Sequence, residues 1–316
     1  MSNRSQKYTA PILILVIILL AWEGVVNVLQ IEQFLLPKPS AIVSNLVQVI
    51  VVDLQGEPLE AKEIQAALKA NKFIISIPVT TPADILEPIF QATLFQFSTA
   101  NSIVLVTQGG NLKPILQAAW FTLKEALGGL ALGGSAGVLM ALATARWTTT
   151  REALLPFAIA ANSMPIIAFA PIMNNWFGLD NPFSKMAIVA IMVFFPMMIN
   201  TVRGLTSVEV RSLELMRSYA AGEFEILRKL RLPNALPYLF NGLKVAAALS
   251  MIGAIVGEYF GGPRIALGVF ITQEAALFRF ASAWSAIIIA CLMGITLYLI
   301  IILAERLLMP WHVSFR

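Results

Sequence analysis

The sequence predicts an all-α integral membrane protein with six transmembrane helices, a charged cytoplasmic loop, and an extracytoplasmic α/β insertion between helices one and two. Three observations predict it. Apolar residues make up 58% of the 316 residues and charged ones 13%, a balance that ordinary soluble domains of this size do not show. Six apolar runs, at about 10–29, 118–145, 153–177, 185–202, 240–260 and 283–305, are each long enough to cross a bilayer. Basic residues gather on one side of these runs. The chain divides into 1–50, a first helix with an outer amphipathic segment, then 51–114, the insertion, then 115–316, a five-helix core carrying the charged loop at 209–237.

Arg4 and Lys7 precede the first run, and no small-residue cleavage site follows it, so it is expected to be a retained helix. Glu23 within it is expected to pair inside the protein, because a carboxylate facing lipid is costly. After the turn Leu35 to Ser40 a short surface helix is predicted over Ala41 to Val51. The insertion mixes charge with Pro58, Pro78, Pro82, Pro88 and the Gly109-Gly110-Asn111 turn, and its β-branched runs at 73–79 and 103–107 predict strands.

Helix two carries Gly129, Gly133 and Gly137 at four-residue spacing, a stripe that lets helix backbones approach closely. Glu125 beside it is expected to pair with Lys124 or a lipid headgroup. Helix three holds Asn162, Ser163, Pro165, Pro171, Asn174 and Asn175, and ends in Trp176-Phe177-Gly178 at the membrane interface. Prolines free backbone groups that must then be covered by protein or water, so this helix is expected to line a polar passage. Pro196 and Asn200 on helix four and Ser250 on helix five extend the same pattern, and Glu258 lies near the outer end of helix five.

Charge decides topology. With both termini in the cytoplasm, Arg4, Lys7, Arg146, Arg151, the cluster Arg203 to Arg231, Arg306 and Arg316 all lie inside, leaving Lys185, Arg264 and Arg279 in short outer loops. The loop 209–237 is the most charge-dense stretch of the second half. Its apolar residues Leu213, Leu215, Met216, Tyr219, Phe224, Ile226, Leu227 and Leu230 recur at helical spacing. Two short amphipathic helices are predicted, hinged at Ala220 to Glu223 and stopped before Pro233.

This loop resembles the cytoplasmic coupling loop of bacterial ABC-importer permeases, with the pattern Glu-Ala-Ala-x3-Gly-x9-Ile-x-Leu-Pro. Here Glu214 and Leu232-Pro233 match, Leu215 and Met216 stand at the two Ala positions, and Ala220 stands at the Gly position. Flanking matches are Ser184-Lys185, Phe194 to Pro196, Asn200-Thr201, Gly204-Leu205, Ser207-Val208, Pro233 to Pro237, Asn241 to Lys244 and Gly253 to Glu258. Together they are similar to the branch serving nitrate, sulfonate, taurine, thiamine-precursor and riboflavin uptake, over about residues 10–50 and 115–312.

The resemblance implies a pore subunit that works with a separate ATP-binding subunit, an extracytoplasmic substrate-binding protein and a second permease copy, as a homodimer in the bacterial cytoplasmic membrane. It implies ATPase coupling by Glu214, Arg217, Tyr219, Ala220, Ala221 and Gly222, with Phe224 and Leu227 holding the loop to its own helices. Asn162, Ser163, Pro165, Asn200, Ser250 and Glu258 are the expected translocation pathway. Glu258 is expected to brace the outer gate, through Arg264 or backbone donors, or else to touch solute. The solute order is riboflavin, then a thiamine-pathway pyrimidine, then sulfonate, taurine or nitrate. The insertion is either loop elaboration or a dock for the binding protein.

No nucleotide-binding lysine motif, catalytic dyad or metal constellation appears, so neither enzyme activity nor a cofactor or metal is expected. Cys291 is the single cysteine and His312 the single histidine. The net charge of +4 comes from basic residues at the ends of apolar runs, which favours lipid flanks over nucleic acid. A secondary transporter is the rival class, but it predicts inverted repeats, and the two halves show none.

Overall fold

The structure is a computed structural model that describes residues 2–32, 35–53, 74–76, 93–98, 102–146, 156 and 165–310. The chain forms two compact units. The first contains residues 1–116 and 271–287, and the second 117–270 and 288–316.

In the first unit, helix α1 (Ser2–Val28) carries the N-terminal apolar run, its apolar part being Leu13–Val28. Glu23 reaches forward to the first turn of α2 (Pro39–Leu46), accepting from the Ser40 backbone N–H at 3.1 Å and its hydroxyl at 2.7 Å. It therefore supplies the cap that Lys38, at the N-cap position, does not. The predicted surface helix over 41–51 ends early, because β-branched Val47, Val49, Ile50, Val51 and Val52 enter strand β1 (Val47–Asp53) instead.

Strands β2 (Ile74–Ser76), β3 (Thr93–Ser98) and β4 (Ser102–Gln108) complete a four-stranded sheet of order β2-β1-β4-β3. β1 pairs parallel to β2 and antiparallel to β4, and β3 joins β4 antiparallel with an irregularity between Thr93 and Phe95. The chain leaves the sheet at Gly109, where a Cβ would lie 2.2 Å from the Asn45 carbonyl oxygen, so only glycine fits. Trp22 meets Trp284 edge to face at 5.2 Å, and the Ser285 hydroxyl donates to the Ile42 carbonyl at 3.0 Å.

The second unit is built on α3 (Leu112–Arg146, the first turn of which lies in the other unit), α4 (Ala170–Phe177), α5 (Pro182–Thr206) and α8 (Leu232–Tyr259). Helices α9 (Leu267–Ala276) and α10 (Phe280–Leu308) follow, each divided between the two units, which exchange at residues 271 and 288. Among the described residues, four helical stretches are long and apolar enough to cross a membrane: Leu112–Thr144, Pro182–Thr206, Glu223–Tyr259 and Phe280–Leu308. These cover four of the six predicted spans. Most of the predicted third span, with Asn162 and Ser163, lies outside the described residues; its end appears as a 3₁₀ turn (Ile166–Phe169) running into α4.

The glycine stripe packs as its spacing predicts. A Cβ on Gly129 would lie 2.4 Å from Val189 Cβ, on Gly133 2.2 Å from the Ala190 carbonyl oxygen, and on Gly137 2.6 Å from that of Phe194. Backbones of α3 and α5 thus touch, which supplies dispersion where lipid offers no hydrophobic drive between helices. On the other face of α5, Gly253 and Gly257 of α8 admit Met192 and Ile188. Ala126, Val189, Val193, Met197, Ala246, Met251 and Ala254 form the common core.

The charged loop differs from expectation at its end. Helix α6 (Val210–Ser218) is followed by α7 (Glu223–Ile226), a π turn (Leu227–Arg231) and then α8 with no break. Pro233 does not stop the helix. It occupies the first turn of α8, where a missing N–H is tolerated, and the wider π turn before it absorbs the ring.

Substituting Gly133→Ala is expected to lower stability by about 1–3 kcal/mol through forced separation of α3 and α5. Gly134→Ala, whose Cβ would meet nothing within 4 Å, is expected to be neutral or slightly stabilising. Thermal unfolding of the purified protein in one detergent compares the two directly.

Candidate functional site

The loop presents a surface built for contact. Helix α6 has no buried residue, and Val210, Leu215 and Tyr219 stand 67%, 57% and 78% exposed beside exposed Glu214 and Arg217. The helix closes in a Schellman turn: Ala220 N–H donates to the Arg217 carbonyl at 2.9 Å and Ala221 N–H to that of Met216 at 3.1 Å. Ala220 takes φ +54°, in the left-handed region that favours glycine. That backbone explains why a glycine suits this position of the motif.

Gly222 then opens α7, and Ala221 is the half-buried member of the tip. Phe224, expected to hold the loop to its own helices, is instead 75% exposed. Leu227 and Ile226 take that role, Ile226 fully buried and Leu227 against Ala141, Met198, Val202 and Leu205. The one-turn α7 is too short to turn both Phe224 and Ile226 inward. Lys229 pairs with Glu225 one turn away at 2.5 Å, both largely solvated, a pair worth only a few tenths of a kcal/mol.

From α7 the backbone stays helical from Glu223 to Tyr259, a rod of about 55 Å. At its far end the structure closes a polar clasp. The Thr122 hydroxyl of α3 donates to Glu258 at 2.6 Å and accepts from the Leu267 N–H at 3.0 Å; the Gly268 N–H donates to the second Glu258 oxygen at 2.6 Å. Free N–H groups in the first turn of a helix suit a carboxylate both as donors and through the helix dipole. A Cβ on Gly268 would sit 2.5 Å from the Ile255 carbonyl oxygen, so glycine brings α9 close enough to reach Glu258.

Of the partners the sequence offered for Glu258, Arg264 or backbone donors, the Gly268 N–H is present, and Thr122 was not foreseen. Arg264 is not a partner of Glu258 among the described residues; it is exposed. Glu125 also departs from expectation. It is 1% exposed, while Lys124 lies over the Trp120 ring at 5.4 Å, because consecutive helical residues point about 100° apart.

Of the remaining expected pathway residues, Asn162 and Ser163 lie outside the described residues. Pro165 is exposed ahead of the 3₁₀ turn, the Asn200 amide donates to the Pro196 carbonyl at 2.8 Å, and fully buried Ser250 donates to the Ala247 carbonyl at 2.8 Å. A groove of about 740 Å³ lies at the N-terminal end of α8, lined by Lys229, Leu230, Pro233, Asn234, Pro237, Tyr238 and Asn241. Pro233, Asn234, Pro237, Tyr238 and Asn241 recur at helical spacing on α8, a signal the two prolines obscure in the sequence.

Residues 133–311 match the family described as binding-protein-dependent transport system inner membrane component. The chain is 35% identical over 159 residues to the riboflavin transport system permease protein of Chloroflexus aurantiacus, covering 50% of this chain and 59% of that one. It is 34% identical over 184 residues to the formylaminopyrimidine transport permease protein of Halalkalibacterium halodurans, covering 58% and 73%. Among solved structures it resembles an amino acid ABC transporter, with a TM-score of 0.51 and 16% identity over 61% of this chain and 94% of the other. That likeness is one of fold.

Thr122→Val removes the hydroxyl and leaves both the Leu267 N–H and one Glu258 oxygen unpaired, an expected loss of about 1–3 kcal/mol. Thr122→Ser keeps the bonds and is expected to unfold close to the parent. The difference between the two thermal midpoints is the measurement.

Proposed function

The chain belongs to the family of inner membrane components of binding-protein-dependent transport systems, and from that membership we propose that it is the pore-forming subunit of an ATP-driven importer of a small solute. The observation that carries the proposal is the α6 to α8 arrangement: a solvent-exposed amphipathic helix followed by a 37-residue helical rod long and apolar enough to cross the membrane. In this reading α6 and its tip, Tyr219 to Gly222, face the cytoplasm and dock in a groove of a separate ATP-binding subunit, with Glu214 and Arg217 as polar anchors. Movement of that subunit on ATP binding is carried along the rod to the clasp at Glu258. Two copies, related by a two-fold axis, and an extracytoplasmic binding protein complete the transporter.

Two side chains make the docking physically reasonable. Leu215 and Tyr219 are exposed apolar surface that gains from burial, about 25 cal/mol per Å² covered. The Schellman turn fixes the angle at which they are offered. For the solute, riboflavin stands first and a thiamine-pathway pyrimidine second, in line with the two relatives at 35% and 34% identity. Sulfonates follow, named for a Bacillus subtilis relative at 27%, and then taurine and nitrate. A groove lined by Tyr238, Asn234 and Asn241 with one lysine suits a neutral heteroaromatic ring better than a compact anion.

Glu214→Ala is expected to leave folding within about 0.5 kcal/mol of the parent, as surface changes do, and both it and Ala221→Trp, at the half-buried tip position and checked by its thermal midpoint, are expected to reduce uptake into proteoliposomes carrying the ATP-binding subunit and the binding protein. Uptake at parental rates by both variants would defeat the docking assignment. Stimulation of ATP hydrolysis by riboflavin or hydroxymethylpyrimidine, and not by taurine or nitrate, is the expected outcome of the solute comparison; the reverse pattern overturns the order given.

A further inference from the structure

Helix α8 is packed around most of its circumference, and what it leaves open is one narrow strip. Between Pro237 and Phe260 its exposed residues are Tyr238, Asn241, Val245, Ala248, Ile252 and Tyr259. At about 100° of rotation per residue, all six fall within an arc of about 80°. The strip is bordered on both sides. Gly242, about 40° beyond one edge, receives Asn200 of α5, whose Cβ would lie 3.1 Å from a Cβ placed on the glycine. Lys244, about 40° beyond the other edge, pairs with Glu305 of α10 at 2.6 Å. The strip therefore looks out between α5 and α10.

Its chemistry suits neither lipid nor a closely packed second helix. The lipid-type face of α10 is broad and aliphatic, with exposed Leu292, Ile295, Ile300 and Leu303 spread over about 140°. The strip of α8 is little more than half as wide, and an amide, two phenols and a single methyl make up four of its six side chains. Close contact between helices in a bilayer needs small residues. Every glycine and alanine of α8 except Ala248 is buried, so those are already committed within the protein. At its N-terminal end the strip runs into open space, because Tyr238 and Asn241 both line the groove of about 740 Å³. Ala248, the smallest of the six, stands about 16 Å along the helix from Tyr259, near the middle of a hydrocarbon layer about 30 Å thick.

We infer that Asn241, Val245, Ala248 and Ile252 line the path of the solute, and that Ala248 sets the widest ring the path admits. The inference rests on the pore-subunit reading and gives it residues. Ser250 and Glu258, expected on the path, are buried and held by hydrogen bonds within the protein, whereas the strip is the open side of the same helix. Asn200, also expected there, borders the strip at Gly242. Tyr238 and Asn241 meet the polar edge of the solute at the groove. Val245, Ala248 and Ile252 offer no hydrogen bond that would hold it, and weak binding along a path favours passage over retention.

Cys291 is the single cysteine, so Cys291→Ser provides a background in which one thiol at a time is introduced. In it Ala248→Cys, Ile252→Cys and Leu299→Cys, the last on the exposed face of α10, are reconstituted in liposomes with the ATP-binding subunit and the binding protein. The readout is the rate of modification by a cationic, water-soluble methanethiosulfonate supplied on both sides of the bilayer, with and without ATP. Ala248→Cys and Ile252→Cys are expected to react at least about tenfold faster than Leu299→Cys in one of the two conditions, since thiols react where water reaches them. Rates no faster than that of Leu299→Cys in both conditions overturn the inference; an oxidant that then joins two copies through Ala248→Cys identifies a second copy as the cover. Uptake of riboflavin and hydroxymethylpyrimidine is measured alongside. Ala248→Phe is expected to lower riboflavin uptake about tenfold, with a thermal midpoint near the parent's, and Leu299→Phe to leave it unchanged. Parental uptake by Ala248→Phe overturns the size limit assigned to Ala248; should that variant fail to assemble, Ala248→Leu decides in its place. A parent complex that takes up neither probe counts against the importer reading and its solute order, while the thiol rates still decide whether the strip is a water-filled path.

Discussion

Backbone contact at α5 is the constraint on which the second unit depends. Lipid chains are as apolar as leucine, so helices in a bilayer gain little by hiding apolar side chains from it and must gain by close approach. Gly129, Gly133 and Gly137 provide that approach on one side of α5, and Gly253 and Gly257 on the other. Because α5 is held at backbone distance by α3 and by its side chains seated on the glycines of α8, the turn in front of it is placed accurately. Lys185 lies in the first turn of α5, and Glu125 of α3 and Glu258 of α8 come near enough to act on it electrostatically.

The polar clasp is the complement of this packing. Three helices meet at Glu258 through donors that would otherwise be stranded: a threonine hydroxyl and two N–H groups of the first turn of α9. A carboxylate deep in an apolar bundle is tolerable only with such satisfaction. The ion pair between Lys244 and Glu305 at 2.6 Å solves a similar problem between α8 and α10, on a partly exposed lysine and a buried carboxylate. The unit is thus glued by dispersion along the helices and pinned by a few polar ties, with the exposed α6 outside both.

Much of this was legible in the sequence, for definite reasons. Spans longer than about 18 apolar residues announce themselves, glycines at four-residue spacing can only make one face, and the β-branched runs at Ile74–Ser76 and Ser102–Gln108 became strands. What failed was local. Val47 to Val52 outweighed a helical surface pattern once a sheet was available to pair with. Pro233 read as a stop because proline usually is one, and nothing in Leu227–Arg231 signals that a π turn will carry the helix past it. Among the site residues, Glu258 could be singled out as a carboxylate near a helix end, whereas Thr122 could not: an unremarkable threonine acquires its role only when α9 arrives 145 residues later.

The π turn has an effect on phase. An α-helix advances about 100° per residue, and a π turn accommodates one residue more per turn. Everything N-terminal to Leu227 is therefore rotated by roughly that angle relative to where an unbroken α-helix would put it. The azimuth of Phe224 is consequently offset by that rotation from the Asn234, Tyr238 and Asn241 face of α8. The extra residue lets Phe224 stand exposed while Ile226 and Leu227 turn inward and the groove face keeps its own direction.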